Sequence, residues 1–541
     1  MRRQIEKMND QYGMPLLITG ADSQLGRAVM AARIPLARVR AVDRHFRKPV
    51  PDGVEAYEGD LRDPLFVTTV LENVGAILHL APIYTRYGDD LETLDHATHG
   101  TYQLATLAAS RGVQRLLLGS TLDLFERCPA RWRIDEAWRP RPTPGIADLA
   151  AWLAECSARE LARDSGLQTI CLRFGHVIED VDEAELPYDP RWLHIEDATS
   201  AVERALTLVA TGWSVFHITA AGRRAKIRLQ PASRVSFGYQ PQHDFHERWP
   251  LDVTADTNTE PTDPWRSLFA PIQPPSIRRI NNIVIFGAGG PLAAAAAHEL
   301  VSSYTLRLAD LLPLAEVSNQ EGSRPPGAPL PLQRDLPHEW RVVDVTDPAQ
   351  VLSACEGMDA IVNCTVVRHD PVEAFRVNLL GTYNIMRAAS VCHIRRVVHT
   401  GPFMVAPLGA TSYAWDYEVS DDAPPRPGSG HRFQLYFHTK YLGQETCRVF
   451  AEYYGIEVPA LLFCEFVTPG YPVAEDFYPF SVSFADAARA IRRSLEVSAL
   501  PTPYEVLHIT ADLPHGVFPN RKVRRVLDWQ PRDDLFQCWS D

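Results

Sequence analysis

The chain contains one sequence unit twice. Val215–Ala220 (VFHITA) returns 291 residues later as Val506–Ala511 (VLHITA), and Gln240–Asp244 returns 290 residues later as Gln530–Asp534. Near-equal shifts at separated places indicate the duplication of a whole domain rather than a short-period repeat. We therefore expect two units of about 270 residues, each large enough to bury its own core.

Both copies alternate short β-rich runs with segments of helical period, which predicts an α/β fold with a parallel sheet in each copy. The runs expected to be strands follow the same order in both copies: Pro15–Thr19, Val39–Asp43, Ala76–Leu80 and Arg115–Gly119, then Asn282–Phe286, Thr305–Ala309, Ala360–Asn363 and Arg396–His399. Six prolines between Trp249 and Ser276 indicate a linker. We expect an N-terminal tail (1–14), a first domain (15–249), a proline-rich linker (250–277) and a second domain (278–541).

Composition excludes several classes of partner. The formal net charge of −13 argues against nucleic acid and anionic membranes. The nine cysteines show no CxxC pair and no Cys/His ligand spacing, which predicts a reducing compartment and no metal site. The N-terminus lacks the apolar region of a signal peptide, and no stretch approaches the roughly 18 apolar residues of a membrane span. We expect a cytoplasmic protein.

A glycine-rich turn between the first strand and the first helix of each copy predicts a dinucleotide site, since backbone N–H groups there can approach a pyrophosphate. The expected cofactor-binding residues are Gly20, Gly26, Asp43 and Asp60 in the first copy, and Gly287, Gly289, Gly290, Asp310 and Asp344 in the second. An aspartate that ends the second strand can accept hydrogen bonds from ribose hydroxyls, which favours NAD over NADP. Arg44 and Arg47 make this preference less clear in the first copy, and Ser23 stands where a second glycine would admit the phosphate.

Together with Asn378-Leu-Leu-Gly381-Thr382, Tyr436-x-x-x-Lys440 and the closing segment Leu527-Asp-Trp-Gln-Pro531, these residues resemble the extended short-chain dehydrogenase/reductase family of NAD-dependent epimerase/dehydratase type. The resemblance covers nearly the whole chain, once per copy. It implies two tandem Rossmann-type, doubly wound parallel-sheet domains, each with a small C-terminal substrate lobe. Because the lobes are short, they look like the compact uronate-dehydrogenase branch.

The resemblance also assigns catalytic roles. In that family the tyrosine is the general acid/base, the lysine favours its phenolate form and holds the nicotinamide ribose, and a Ser or Thr orients the substrate oxygen. Tyr436, Lys440 and Asn378 fit the pattern in the second copy. An ungapped comparison of the copies places Pro402 where the hydroxyl is expected. Thr400, two residues earlier, could substitute only if the strand end bulges.

The first copy shows the opposite pattern. Thr121 fits the substrate-orienting position, where it is expected to be vestigial. No tyrosine or lysine occurs between Thr121 and Pro187, and the ungapped comparison places Ala147 and Ala151 opposite the catalytic pair. Ala97 stands where the second copy has Asn378. The first copy is therefore not expected to catalyse this family's reaction.

Two functions remain open at this stage. The first is an NAD-dependent oxidoreductase, epimerase or dehydratase that acts by hydride transfer on a sugar, sugar acid or sugar nucleotide, with the second copy active. The second is a catalytically impaired NAD-binding protein that serves as sensor or scaffold. Since the family commonly dimerises through the helix that carries Tyr-x-x-x-Lys, we also expect an internal pseudo-dimer of the two copies. That expectation is based on the apolar face of Leu149–Cys156.

Overall fold

A computed structural model describes most of the chain. The described residues are 14–33, 38–84, 88–129, 132–179, 191–220, 237–243, 245, 279–318, 324–332, 338–403, 418–423, 425–427, 434–471 and 479–538. The predicted linker and all but the last residue of the predicted N-terminal tail lie outside these ranges. The chain divides into two compact units, Met1–Thr262 (unit 1) and Asp263–Asp541 (unit 2).

Unit 1 is built on a seven-stranded parallel sheet of order β3-β2-β1-β4-β5-β6-β9. A small pair, β7 and β8, lies beside it. The strands are β1 Leu16–Thr19, β2 Val39–Asp43, β3 Val54–Glu58, β4 Ala76–His79, β5 Arg115–Thr121, β6 Gln168–Phe174, β7 His176–Ile178, β8 Trp192–His194 and β9 Trp213–Ile218. The helices are α1 Gln24–Arg33, α2 Pro64–Val70, α3 Ala81–Tyr84, α4 Asp90–Asp95, α5 Thr101–Ser110, α6 Ile146–Ser165 and α7 Ile195–Thr207, with a π-helix at His96–Gly100 and a 3₁₀-helix at Leu122–Phe125.

Unit 2 repeats this architecture with a seven-stranded parallel sheet of order β12-β11-β10-β13-β14-β15-β18 and a small pair, β16 and β17. Its strands are β10 Asn282–Phe286, β11 Thr305–Asp310, β12 His338–Val342, β13 Ala360–Asn363, β14 Arg396–Pro402, β15 Val458–Phe463, β16 Glu465–Val467, β17 Ser481–Ser483 and β18 Tyr504–His508. Its helices are α8 Pro291–Leu300, α9 Leu314–Ser318, α10 Pro348–Cys355, α11 Pro371–Ala374, α12 Thr382–Val391, α13 Gln434–Tyr454, α14 Phe484–Glu496 and α15 Arg521–Leu527, with a π-helix at Phe375–Gly381 and a 3₁₀-helix at Phe536–Cys538.

The predicted fold class is confirmed: two tandem α/β units, each with a parallel sheet wound in both directions from its first strand. The central strands are almost completely buried, as the apolar runs require for a sheet with helices on both faces. The edge strands β3 and β12 did not stand out in the sequence, because their side chains are partly buried or exposed and polar residues interrupt the apolar ones. They directly precede Asp60 and Asp344. No helix in the described part of the chain is long and apolar enough to cross a membrane.

Candidate active site and the two cofactor clefts

The first glycine of each turn keeps the geometry that a cofactor cleft requires. Gly287 has a φ of +74°, and a Cβ there would lie 2.9 Å from the carbonyl carbon of Cys364, at the end of β13. Gly20 has a φ of +66°, and a Cβ there would lie 2.7 Å from the backbone nitrogen of Ala81. Both conditions exclude a side chain, so each turn holds the first strand and the start of the helix close to the fourth strand of the sheet.

In unit 2 the turn is open to an anion. The N–H of Gly289 donates to Asp310 Oδ2 at 2.7 Å, which ties the turn to the end of β11. Helix α8 begins at Pro291, and no side chain caps its N-terminus. The N–H groups of Leu292 and Ala293 are therefore the donors that the helix end offers to a pyrophosphate.

The aspartate that follows the edge strand of unit 2 also has an open oxygen. Asp344 accepts the N–H of Thr346 on Oδ1 at 2.8 Å. Its Oδ2 has no hydrogen-bond partner among the residues that the structure describes. The half-buried Asp344 therefore keeps an acceptor available for a ligand.

In unit 1 the same turn is filled by charged groups of the chain itself. Asp22 stands where unit 2 has Gly289, and its carboxylate is paired with Arg27 and with Arg47, whose Nε lies 2.8 Å from Oδ2. These contacts lower the pKa of Asp22 in spite of its burial. The hydroxyl of Ser23 accepts the N–H of Gly26 at 3.1 Å, so a helix N-terminal donor is already used.

The carboxylate of Asp60, which follows the edge strand of unit 1, is neutralised in the same way. Both carboxylate oxygens of Asp60 accept hydrogen bonds from Arg62, at 2.6–3.1 Å, and the pKa of Asp60 falls to about 2, although burial opposes this shift. Unit 2 has Thr346 in the position of Arg62. Arg44 pairs with Glu92 across a cavity of about 740 Å³ that Asp43 also lines. The charged groups around the four residues predicted to bind cofactor in unit 1 are therefore paired with each other.

Sequence reasoning missed a cation beside the unit 2 turn. Arg324 donates one guanidinium hydrogen bond to the carbonyl oxygen of Gly289 and another to that of Pro329 at 2.8 Å. It lies in the proline- and glycine-rich stretch after α9, far from the motif in sequence, and no spacing rule pointed to it. Its charge can be shared with a bound phosphate.

Lys440 is buried at the carboxyl edge of the unit 2 sheet. Its side chain is 2% exposed, and Nζ donates to the carbonyl oxygen of Thr365 at 3.2 Å. Burial lowers the pKa of Lys440 to about 8. The ammonium of the lysine predicted to hold the nicotinamide ribose therefore lies just beyond the end of β13. The end of this same strand contacts the glycine turn of unit 2.

The phenol of Tyr436 is half-buried one helical turn away. Burial raises its pKa to about 12, and the charge and a hydrogen bond of Arg368 lower it in part. The guanidinium carbon of Arg368 lies 5.2 Å from the centre of the Tyr436 ring. Arg368 is therefore a cation beside the phenol that the sequence did not indicate. The expectation that the ammonium of Lys440 favours the phenolate stays a prediction.

Asn378 lies in the π-helix and holds the active-site loop by its side-chain amide. Nδ2 donates to the carbonyl oxygen of Val367 at 2.7 Å and to Oγ1 of Thr439 at 2.9 Å, and Oδ1 accepts the N–H of Val367 at 3.0 Å. The amide therefore connects Val367, which precedes Arg368, to Thr439, which precedes Lys440. This places Asn378 in a positioning role. In unit 1 the equivalent π-helix carries Ala97.

The sheet register shows which residues lie at the position predicted to orient the substrate. Thr121 pairs with Phe174 at the end of β5, and Pro402 pairs with Phe463 at the end of β14. Strand β14 runs in register through Pro402, so the bulge that Thr400 would need is absent from this described strand. The hydroxyl of Thr400 donates instead to the carbonyl oxygen of Asn363 at 2.9 Å.

Unit 1 has an ion pair where unit 2 has uncharged side chains. Helices α6 and α13 both end before a glycine with positive φ, Gly166 and Gly455, and this shared end places Ala147 and Ala151 opposite the Tyr–Lys pair. One turn further along α6, buried Glu155 binds Arg173 at 2.7 Å and accepts a hydrogen bond from Ser120. The equivalent residues in unit 2 are Gln444, Leu462 and Gly401.

One group with metal-ligand chemistry occurs in the described residues. Ligand atoms of His194, Glu196 and His243 lie within 4.8 Å of one another. Both ring nitrogens of His194 are already engaged, one with the carbonyl oxygen of Glu179 at 3.0 Å and the other with the N–H of Glu196 at 3.2 Å. The group therefore serves to cap helix α7.

Two parallel sheets, each with a glycine turn at its first strand, and a Tyr-x-x-x-Lys helix in unit 2 are typical of the α/β fold of dehydrogenases. The family model for the NAD dependent epimerase/dehydratase family matches residues 16–178 and 283–499, which is more than half of the chain and falls once in each unit. The chain belongs to this family. The resemblance noted in the sequence is confirmed, and so is the tandem duplication.

Solved structures of similar fold each cover one half of the chain. Uronate dehydrogenase from Agrobacterium tumefaciens is 20% identical, with 45% of this chain and 92% of that chain covered and a TM-score of 0.39. Glucuronic acid dehydrogenase from Chromohalobacter salexigens is 21% identical, with 44% and 91% covered and a TM-score of 0.38. UDP-glucose 4-epimerase from Thermotoga maritima is 15% identical, with 43% and 96% covered and a TM-score of 0.36. No curated protein matches the chain.

Proposed function

We propose that the chain is an NAD-dependent oxidoreductase of the epimerase/dehydratase type and that unit 2 carries the activity. The observation that supports this most strongly is the placement of Lys440. Its ammonium is buried against the carbonyl oxygen of Thr365, one helical turn from Tyr436 and beside the strand end that contacts the glycine turn. A buried lysine is costly, and burial of this kind is concentrated at functional sites.

The residues of unit 2 have distinct tasks in this proposal. NAD would supply the hydride acceptor, held by the α8 N-terminus, Asp310 and Asp344. Tyr436 takes the proton of the substrate hydroxyl in its phenolate form, and Arg368 offsets part of the burial that disfavours that form. Lys440 orients the nicotinamide ribose. Asp310 favours NAD, because its carboxylate repels a 2′-phosphate, while Arg324 is positioned to offset part of this repulsion.

We propose further that unit 1 binds no dinucleotide. Its turn carries Asp22, and Ser23 caps the helix that follows. Both carboxylate oxygens of its Asp60 accept hydrogen bonds from Arg62. A pyrophosphate would have to displace these ion pairs while meeting the negative charge of Asp22. The substrate is proposed to be a small sugar or sugar acid, because the lobes are short. The pairing of the two units as an internal pseudo-dimer stays a prediction.

A Tyr436→Phe variant tests the proposed activity. NADH formation is measured across a panel of neutral sugars and sugar acids, with NAD affinity measured by calorimetry on the same preparations. General acid–base catalysis contributes about 10²–10⁴-fold, so turnover should fall by that factor with NAD affinity unchanged. Equal turnover in the two proteins would contradict the role of Tyr436.

The second candidate function is that of a catalytically impaired NAD sensor or scaffold. It is favoured by one observation: neither Pro402 nor Thr400 presents a free hydroxyl at the substrate-orienting position. Clear NAD binding by wild type without turnover of any panel member would support this function instead.

A further inference from the structure

The proposed active site lacks one functional group. The end of β14 carries Pro402, which has no side-chain donor, and the hydroxyl of Thr400 is committed to the carbonyl oxygen of Asn363. A reacting oxygen next to Tyr436 needs a second donor, because the charge that develops on it must be stabilised while its proton moves.

Arg368 is placed to supply that donor. Its guanidinium carbon lies 5.2 Å from the centre of the Tyr436 ring, which places the cation beside the phenol. Arg368 is exposed, so N–H donors of its guanidinium remain accessible. Its charge also acts on the ammonium of Lys440, which places Arg368 near both members of the pair.

The backbone beside Arg368 is held in place. Val367 uses both its N–H and its carbonyl oxygen on the amide of Asn378, at 3.0 and 2.7 Å. Asn378 lies in the buried π-helix, so the start of the Arg368 side chain is held to a rigid element. A long side chain on a held backbone loses less entropy when it binds than one on a free loop.

We propose that Arg368 is a catalytic residue of unit 2 that replaces the missing hydroxyl by donating a hydrogen bond to the reacting substrate oxygen. This rests on the proposed function. In the oxidation direction the substrate C–H bond breaks and its electron pair leaves as hydride for nicotinamide C4, while the O–H proton passes to Tyr436. The carbinol is oxidised, NAD⁺ is reduced, and Arg368 stays protonated throughout.

The test compares Arg368→Met with Arg368→Met/Pro402→Thr, using NADH formation, kcat and KM separately, and NAD affinity by calorimetry. The double variant restores to unit 2 the hydroxyl that unit 1 has in Thr121. Arg376→Met is the matched control, since Arg376 is also exposed and is paired only with Glu373 among the described residues. Loss of one such donor costs about 10²–10³ in kcat, so this fall is expected for Arg368→Met with NAD affinity unchanged.

The remaining outcomes separate the explanations. Recovery of at least tenfold by Pro402→Thr in the Arg368→Met background supports the proposal. Wild-type turnover that depends on Tyr436 but not on Arg368 would overturn it and leave the proposed function intact. A loss of NAD affinity that matches the loss of kcat/KM would overturn it by making Arg368 a cofactor ligand. Absence of turnover in wild type would remove the proposed function as well.

Discussion

The ammonium of Lys440 lies 3.2 Å from the carbonyl oxygen of Thr365, in a part of unit 2 that water does not reach. One hydrogen bond to a neutral carbonyl does not replace the hydration of a full positive charge. This loss of hydration lowers the pKa of Lys440 to about 8. The unliganded protein therefore carries a destabilising group at the position where the family's lysine holds the cofactor ribose.

Lys440→Met should stabilise the unliganded protein by about 1–3 kcal/mol at neutral pH while abolishing turnover. The pKa of Lys440 is about 8 in the folded state and about 10.4 in an unfolded chain. Between these values the unfolded state binds more protons, so wild-type stability rises with pH in this window. The advantage of the variant should be full below pH 8 and disappear towards pH 10.5. Thermal unfolding across pH measures this, and a constant difference would contradict it.

NAD should bind once per chain, in unit 2, because the charges of the unit 1 cleft pair with each other. Calorimetric titration of wild type should give one site. Gly289→Asp, which places the unit 1 residue in unit 2, should give none, since its carboxylate would oppose the pyrophosphate.

The reciprocal variant Asp22→Gly/Ser23→Gly/Arg62→Thr should raise the number of NAD sites per chain towards two. It removes the carboxylate from the turn, the cap from the helix end and the ion pair from Asp60. Arg38→Ala is the control, because it removes only an exposed ion pair with Glu55 on the edge strand. Two sites in wild type would show that the ion pairs of unit 1 yield to the cofactor.

The buried Glu155–Arg173 pair should be far more sensitive to loss of one partner than to loss of both. Glu155→Gln leaves Arg173 buried without its counter-charge and should cost about 3–5 kcal/mol. The triple change Ser120→Gly/Glu155→Gln/Arg173→Leu installs the arrangement of unit 2 and should recover most of this loss. Hydrogen–deuterium exchange of peptides from β5 and β6 reports on unit 1 alone. Equal protection loss in both variants would argue against a desolvation penalty.

Asn378→Leu should lower kcat at least tenfold, because it frees both backbone hydrogen bonds of Val367 and with them the backbone next to Arg368. If the amide acts through that residue, Asn378→Leu/Arg368→Met should be no slower than Arg368→Met alone. Asn384→Leu removes a buried amide in the following helix whose hydrogen bond goes to the carbonyl oxygen of Val345, and it should leave kcat unchanged. Additive losses in the double variant would mean that the two residues act independently.

Much of the site could be predicted because its elements are local. The glycine turns, the aspartates that end β2 and β11, and the Tyr–Lys spacing are each set by a few neighbouring residues. The ungapped comparison also predicted the pairs Thr121/Pro402 and Ala151/Lys440, and the sheet register and the shared helix ends now support it. The edge strands β3 and β12 were harder to recognise, because one-sided burial leaves a polar sequence.

The sequence by itself determined the duplication, the two parallel sheets and the loss of the Tyr–Lys pair from unit 1, since these depend on periodicity and residue identity along short stretches. Only the tertiary structure decided which charges meet. Asp22 with Arg47, Arg368 with Tyr436, and Glu155 with Arg173 are each brought together by separate elements at the carboxyl edge of a sheet. Electrostatic pairing depends on distance and burial in three dimensions, and neither is encoded in the spacing of residues along the chain.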